Sequence, residues 1–204
     1  MDKLLIYIIP ISLVKDNLSF ISSFVSEKRK EKALKFVNEK DQLLSFGAGY
    51  LLKKYLPNEE ISETSSGKPY LPNGPFFNIS HSGEYVVLAV HLSRDVGVDI
   101  ERIDDKKIDA IRFVLNEEES NIVEKEQLFQ IWSNKESLVK CMSLRLMDIR
   151  KVTGLPLNGV RTINGEDYFT KSMIYDGYSL SITLKGNESF EIDMVSINDV
   201  ERPL

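Results

Sequence analysis

The sequence predicts an α+β fold with antiparallel sheets. Strand-like segments and segments with helical spacing of apolar residues come in separate blocks, whereas a doubly wound sheet would alternate them. The length of 204 residues corresponds to one domain, or to two small fused halves. A chain of this size buries about 70% of its unfolded surface, so it needs no disulfide or structural metal to fold.

The elements of this fold follow a clear order along the chain. A buried strand over 4–9 is followed by helical patterns over 18–25 and 43–51. The segment 57–75 is rich in Pro, Gly, Ser and Thr and predicts loops around a short extended piece. Strands are then expected over 76–79, 85–92 and 96–100, a helical region over 105–142, and strands over 168–174, 178–184 and 190–197.

A short internal echo favours two similar halves. Asp41-Gln42-Leu43 opens one predicted helix, and Glu126-Gln127-Leu128 opens another roughly 85 residues later. Two halves of about 100 residues each would fit this spacing.

The composition excludes several classes of protein. With 26 Lys and Arg against 31 Asp and Glu the net charge is −5, which argues against a general nucleic-acid binder. One Cys and two His exclude a disulfide framework and almost every zinc site. The apolar stretch 4–14 is too short for a membrane span and lacks the features of a signal peptide. We therefore expect a cytoplasmic protein with no nucleic-acid or membrane partner.

Two acidic residues alternate with apolar ones in the string Val96-Gly97-Val98-Asp99-Ile100-Glu101. Residues i and i+2 of a strand face the same side, roughly 7 Å apart, so both carboxylates can reach one cation. Paired carboxylates suit magnesium, a hard cation that completes its shell with water and phosphate. The alternative is a strand end whose acids face solvent.

The predicted helix over 126–142 carries charges beside its apolar stripe. Glu136 and Lys140 lie on the flank of the stripe, four residues apart and therefore stacked as neighbours. Lys135 falls inside the stripe, where its charge must find a partner or reach out to solvent. We expect these three charges to form the wall of a polar site beside Trp132. A plain surface pair between Glu136 and Lys140 is the alternative.

Positive charge is concentrated in the segment 28–35, which holds five Lys or Arg in eight residues. It predicts either a solvated helix face or a clamp for phosphate groups, which Lys68 could join. His81 lies between two apolar strands, where a lone histidine is typically a structural hydrogen-bonding group. Cys141, on the buried helix, has the pattern of a small core residue.

Four strings occur in a specific order: Gly67-Lys68-Pro69, Phe77-Asn78-Ile79-Ser80-His81-Ser82-Gly83, Gly97-Val98-Asp99-Ile100-Glu101 and Trp132-Ser133-Asn134-Lys135-Glu136-Ser137-Leu138-Val139-Lys140. Their order and spacing resemble those of the 4′-phosphopantetheinyl transferases. The length resembles the larger, monomeric branch that activates surfactin synthetase, since the trimeric synthases are about half as long. A looser likeness covers 26–36, and none is seen after about Arg150.

This resemblance implies two similar α+β halves, 1–102 and 103–204, about a pseudo-twofold axis, with coenzyme A in the cleft between them. It implies transfer of the phosphopantetheine arm of coenzyme A to a serine of an apo acyl or peptidyl carrier protein. Adenosine 3′,5′-bisphosphate would be released. The protein would act as a monomer and use Mg²⁺.

The resemblance also implies roles for individual residues. Asp99, Glu101 and Glu136 would bind Mg²⁺, and Lys140 would lie beside the transferred phosphate. Glu136, Glu118 or a metal-bound water would take the proton of the attacking serine. The residues placed on coenzyme A are Arg29 and Lys32 at the 3′-phosphate, and Lys68, Ser80 and His81 at the nucleotide end.

One departure from the family pattern concerns the 3′-phosphate. Many relatives carry an arginine a few residues into the helix after the basic segment, where this chain has Leu44 and Ser45. The missing cation would have to come from Lys40 or Lys53.

Two other functions compete with the transferase. A magnesium-dependent nucleotide phosphohydrolase would use the same three acids and would release product from coenzyme A without an acceptor. A catalytically silent binder of carrier protein or coenzyme A would be expected to have a broken acid set. Asp99, Glu101, Glu136 and Lys140 are all present, which favours the transferase.

Overall fold

The computed structural model describes residues 3–57 and 60–200. Strands in these ranges are β1 Lys3–Pro10, β2 Ser62–Glu63, β3 Pro69–Tyr70, β4 Phe76–Ser82, β5 Tyr85–His91, β6 Val96–Arg102, β7 Gly159–Ile163, β8 Glu166–Tyr175, β9 Tyr178–Lys185 and β10 Glu191–Ser196. Helices are α1 Ile11–Asp16, α2 Leu18–Phe24, α3 Glu27–Leu34, α4 Glu39–Tyr55, α5 Ile108–Arg112 and α6 Lys125–Cys141. None of the helices in these ranges has the length and apolarity that a membrane crossing requires.

The longer strands form two four-stranded sheets. The first has the order β10-β1-β5-β4 and is antiparallel except for β10, which runs parallel to β1. The second has the order β6-β9-β8-β7 and is antiparallel throughout. The predicted α+β class with antiparallel sheets is therefore confirmed.

The two sheets pack face to face and are covered by helices on their outer faces. Leu4 and Ile6 of β1, Val87 of β5, Val98 of β6 and Ile182 of β9 belong to one apolar core between the sheets. Helix α4 and the shorter helices before it bury the outer face of the first sheet. Helix α6 lies on the outer face of the second sheet. The resulting order of layers is helix, sheet, sheet, helix.

The same connectivity occurs twice. In the first sheet a strand, a long helix and a hairpin follow as β1, α4, β4 and β5, and β1 pairs with β5. In the second sheet β6, α6, β8 and β9 follow in the same way, and β6 pairs with β9. The echo strings lie in the first turns of α4 and α6, which are both 17 residues long. This repeat supports the prediction of two similar halves.

The pseudo-twofold axis and the division into 1–102 and 103–204 remain predictions. The sheets do not follow this division. β6, which lies within 1–102, belongs to the second sheet, and β10, which lies within 103–204, pairs with β1 in the first.

The predicted helical region over 105–142 is interrupted. It contains a 3-10 turn at Asp105–Lys107, the short α5, a second 3-10 turn at Glu119–Asn121, and then α6. The interruption has a local cause, because the Asn116 side chain accepts the backbone N–H of Glu119 while the Glu119 carboxylate accepts the N–H of Asn116. Such side-chain acceptors replace the carbonyls that a continuing helix would supply.

Candidate active site

The site is built where α6 lies close against β6. A Cβ atom added at Gly97 of β6 would stand 1.9 Å from the backbone oxygen of Ser137 and 2.5 Å from the backbone nitrogen of Cys141. Only glycine lets helix and strand approach to this distance. Because Gly97, Asp99 and Glu101 share one face of β6, this contact brings α6 over the acidic pair.

Small hydroxyl side chains line the rest of this interface. Ser133 of α6 contacts the hydroxyls of Ser179 and Ser181 at 2.6 and 2.7 Å, and Ser137 contacts that of Thr183 at 2.8 Å. All five side chains are fully buried. Short polar residues thus keep the helix close to the sheet while satisfying each other's hydrogen bonds.

Asp99 is the centre of the charged cluster. It is only 3% exposed, and its Oδ1 accepts hydrogen bonds from Ser80 Oγ at 2.9 Å and Lys140 Nζ at 2.6 Å. Its Oδ2 is buried and has no hydrogen-bond partner among the described residues. A buried carboxylate oxygen without a partner is costly, so this atom marks a position that a cation would stabilise.

Glu136 and Lys140 complete the cluster from the helix. They form an ion pair of 3.4 Å, one turn apart. Burial raises the pKa of Glu136 to about 8, and the nearby Asp99 carboxylate adds to the rise. Burial alone would lower the pKa of Lys140, but Asp99 and Glu136 outweigh it and raise that pKa. The ionised form of Glu136 is therefore disfavoured in this cluster unless a further cation joins it.

Glu101 is held separately from the other two acids. Its Oε1 accepts from Ser82 Oγ at 2.7 Å and from Lys107 Nζ at 2.5 Å. Within the described ranges, no three metal-type side chains are close enough to form a ready-made metal cage. Glu101 does contribute to the raised pKa of Glu136, after burial and Asp99, so it lies within electrostatic reach of the cluster.

A row of polar side chains on β4 joins the two sheets. Asn78 Oδ1, Ser80 Oγ and Ser82 Oγ accept the backbone N–H groups of β6 at distances of 2.9, 3.3 and 3.1 Å; the donors are Val98, Ile100 and Arg102. Both strands are sheet edges, so these donors would otherwise lack partners. This role was not predicted, although the alternation of Asn78, Ser80 and Ser82 is a pattern that puts three polar side chains on one face of a strand.

The expected position of Lys135 is wrong. Lys135 does not join the wall of the site; it is fully buried and pairs with the buried Glu119 at 2.7 Å. It also donates to the carbonyl of Val114 at 2.9 Å. Glu119 in turn accepts from the backbone N–H of Gly154 at 2.6 Å. This pair therefore holds α6 to the preceding and following loops. The position of Lys135 on the buried stripe of α6 led us to expect a partner for its charge, and that part of the expectation is confirmed.

The residues predicted for the nucleotide end lie at different distances from the cluster. Ser80 is part of it, since Lys140 Nζ donates to Ser80 Oγ at 3.1 Å. Burial lowers the pKa of His81, and the charge of Lys140 lowers it further. Lys68 Nζ donates to the carbonyls of Val96 and Cys141 at 3.1 and 3.4 Å, at the start of β6 and the end of α6. Lys68 also lines a cleft of about 270 Å³ together with Tyr70, Leu71, Phe77, Asp95 and Ser143.

The predicted 3′-phosphate residues are spread over α3. Arg29 is half-buried, and its aliphatic chain fills the space in front of Gly49 of α4. Burial lowers its pKa. Lys32 is exposed one turn further along.

The substitutes considered for the missing arginine have partners. Lys40 pairs with Glu84 at 2.5 Å, and Lys53 lies over the ring of Phe24. Leu44 and Ser45, which stand at the arginine position, are both buried.

Glu118 and Cys141 complete the predicted set. Glu118 is exposed, directly before the turn Glu119–Asn121. Its neighbour Glu119 is the buried acid of this segment.

Cys141 is buried, and burial raises the pKa of its thiol to about 12. Its Sγ lies 3.3 Å from the carbonyl oxygen of Asp95. The prediction of a core cysteine is confirmed.

The structure thus contains two sheets joined at their edges and a helix that brings an acid and a lysine onto an acidic strand. Residues 95–182 match the family model of the 4′-phosphopantetheinyl transferase superfamily, and residues 13–93 match the model described as 4′-phosphopantetheinyl transferase, N-terminal. The chain belongs to the 4′-phosphopantetheinyl transferase superfamily.

Relatives of this chain come from bacteria and from animals. It is 32% identical to the 4′-phosphopantetheinyl transferase gsp of Aneurinibacillus migulanus over 70% of this chain and 66% of the relative. It is 29% identical to the 4′-phosphopantetheinyl transferase Sfp of Bacillus subtilis over 62% of this chain and 63% of the relative. It is 26% identical to the L-aminoadipate-semialdehyde dehydrogenase-phosphopantetheinyl transferase of Xenopus laevis over 60% of this chain and 50% of the relative. The chain thus spans at most about two thirds of these relatives.

Replacing Gly97 by alanine tests the contact of β6 with α6. The added Cβ would overlap backbone atoms of α6, which cannot move aside as a side chain can. We expect a loss of about 3 kcal/mol in the free energy of unfolding, measured by urea denaturation. Gly47→Ala on α4 is the matched control, because the atoms nearest to its Cβ would be side-chain methyl groups, those of Val14 and Val86 at 3.2 Å and that of Ile9 at 3.6 Å. A similar loss in both variants would contradict the close-approach argument.

Proposed function

We propose that this protein transfers the 4′-phosphopantetheine arm of coenzyme A to a serine of an apo acyl or peptidyl carrier protein. The observation that carries the proposal is the convergence of Asp99, Glu136 and Lys140 where β6 meets α6. Membership of the superfamily and the activity for which its relatives are named support the same reaction. Adenosine 3′,5′-bisphosphate is the second product.

The donor chemistry of the cluster fits a magnesium ion. The buried Oδ2 of Asp99 lacks a hydrogen-bond partner in the described ranges, and the carboxylate of Glu136 is adjacent. Magnesium prefers oxygen ligands and is usually bound by one or two carboxylates together with substrate phosphates. Asp99 and Glu136 would hold it, with Glu101 as the third proposed ligand. When bound, the ion supplies charge neutralisation for the diphosphate.

The reaction requires positioning and charge neutralisation more than covalent chemistry. The serine oxygen forms a bond to the phosphorus that carries pantetheine, and the bond from that phosphorus to the bridging diphosphate oxygen breaks. Lys140 is held by Asp99 and Ser80 and keeps its charge, so it is suited to neutralise the phosphate. Glu136 is the better placed acceptor for the serine proton, since it lies in the cluster whereas Glu118 is exposed.

Coenzyme A carries three phosphate groups in all, so a chain of net charge −5 must hold it with local cations. The proposed contacts at the nucleotide end are Ser80 and His81 beside the cluster, and Lys68 beside the cleft. Arg29 and Lys32 are the proposed contacts of the 3′-phosphate. The carrier protein is proposed to dock on the chain as a transient partner of a cytoplasmic monomer.

The test is intact-protein mass spectrometry of apo carrier proteins incubated with this chain, coenzyme A and Mg²⁺. We expect a mass gain of one phosphopantetheine arm, absent with a chelator and absent from a carrier whose acceptor serine is replaced by alanine. Hydrolysis of coenzyme A with no gain on a panel of fatty-acid, polyketide and peptide carriers would favour a phosphohydrolase and overturn the proposal.

A further inference from the structure

Ser82 stands between the backbone of β6 and the carboxylate of Glu101. Its Oγ accepts the backbone N–H of Arg102 at 3.1 Å and donates to Glu101 Oε1 at 2.7 Å. Ser82 itself is buried, with 8% exposure. The Ser82 hydroxyl therefore both accepts and donates a hydrogen bond inside the protein.

The direction of the second bond is fixed by the Glu101 carboxylate, which can only accept. A serine hydroxyl has a single proton. The N–H of Arg102 can only donate, so the Ser82 oxygen must accept from it and remains free to donate its proton to Glu101. Because β4 and β6 are both edge strands, this pair of bonds also ties the end of one sheet to the other.

Glu101 is the acid whose orientation most depends on such help. Asp99 is fixed by burial and by bonds from Ser80 and Lys140, whereas the Glu101 side chain is longer and 14% exposed. Its other partner, Lys107, is half exposed and comes from the 3-10 turn that follows β6. Both partners bind Oε1, and among the described residues no hydrogen bond uses Oε2, which a ligand could therefore occupy.

We propose that Ser82 is a positioning residue, which holds the Glu101 carboxylate in the orientation that binds the divalent cation. This inference rests on the proposed function and deepens it. Ser82 contacts neither the cation nor the substrate; it acts through Glu101. Hydrogen bonds from neighbouring residues to metal-binding carboxylates commonly change metal affinity by about 10- to 100-fold.

Binding of Mn²⁺, measured as free Mn²⁺ by electron paramagnetic resonance, tests the proposal without turnover. The full chain is titrated with Mn²⁺ in the presence of coenzyme A and no carrier protein. We expect Ser82→Ala to weaken Mn²⁺ binding about tenfold, and Ser82→Thr, which keeps the hydroxyl, to restore most of it. The affinity for coenzyme A without metal should be unchanged in Ser82→Ala, because no coenzyme A contact is removed.

Asn78→Ala is the matched control. Asn78 accepts the N–H of Val98 in the same row, but its described bond reaches no carboxylate. We expect it to lower the melting temperature and to leave Mn²⁺ affinity within twofold of the wild type. Equal loss of Mn²⁺ affinity in Asn78→Ala and Ser82→Ala would overturn the proposal, since it would show only a loosened sheet junction.

If Ser82→Ala does not fold, Ser82→Cys replaces it, because a thiol has similar size but is a weak donor. Mn²⁺ affinity of Ser82→Cys equal to that of the wild type would then overturn the proposal. Failure of the proposed function is distinguishable. A wild-type chain that modifies a carrier protein and binds Mn²⁺, with unchanged binding in the Ser82 variants, would exclude only the role of Ser82.

Discussion

Asp99→Asn is expected to reduce carrier modification by roughly a hundredfold to a thousandfold, with little change in stability. The asparagine carbonyl can still accept from Ser80 and Lys140, whose bonds to Asp99 Oδ1 hold this side chain in place. The negative charge that supports the cation is lost, and a neutral amide replaces the buried Oδ2 that has no described partner. The change therefore affects charge neutralisation at the diphosphate more than packing.

Initial rates of carrier modification at saturating coenzyme A measure this effect, together with the melting temperature. Asp193→Asn is the control, because Asp193 is exposed on β10, the sheet edge opposite the one that carries Ser80. We expect Asp193→Asn to keep the wild-type rate. Near-normal turnover of Asp99→Asn at limiting Mg²⁺ would contradict the assignment of Asp99 to the cation.

Lys135→Met is expected to lower the free energy of unfolding by about 3–5 kcal/mol. The variant leaves the Glu119 carboxylate fully buried without its cation, although it still accepts from Gly154 and Asn116. Removing one member of a buried pair is far more costly than removing both, because the remaining charge is left uncompensated. Urea denaturation at neutral pH measures the loss.

Two companion variants isolate the cause of that loss. Lys125→Met, at the start of the same helix, breaks an exposed pair with Asp105 and is expected to cost less than about 1 kcal/mol. Combining Lys135→Met with Glu119→Gln removes the uncompensated charge and should recover part of the stability. No recovery in the double variant would show that lost packing of the Lys135 side chain, and not the charge, causes the loss.

Most of the fold could be predicted because its signals are local. Alternation of apolar residues in β6 and helical spacing in α6 depend on neighbours within one element, and both elements appear close to their predicted bounds. The helical region over 105–142 was predicted less well. Its interruption depends on the reciprocal bonds of Asn116 and Glu119 and on the burial of Glu119, which periodicity does not encode.

In the candidate site, too, some features could be predicted from local sequence patterns and others could not. Asp99, Glu136 and Lys140 were identified from spacing and motif, and the structure brings these three together. Lys135 was wrongly expected beside Glu136 and Lys140, because its partner Glu119 comes from a 3-10 turn that no sequence pattern links to the helix. The roles of Lys107 and Ser82 at Glu101 were not predicted either.

Residue order alone was enough to predict the α+β class, the two acids on one face of a strand, the acid and lysine one turn apart on a helix, and the family likeness. These properties follow from residue order and from the fixed periods of strands and helices. Three features required the folded structure: the close approach of α6 to β6 at Gly97, the acceptors that β4 supplies to the edge of β6, and the pairing of the charges. The reason is that these contacts join residues from about 16 to 60 positions apart, whose distance is set by the packing of two sheets.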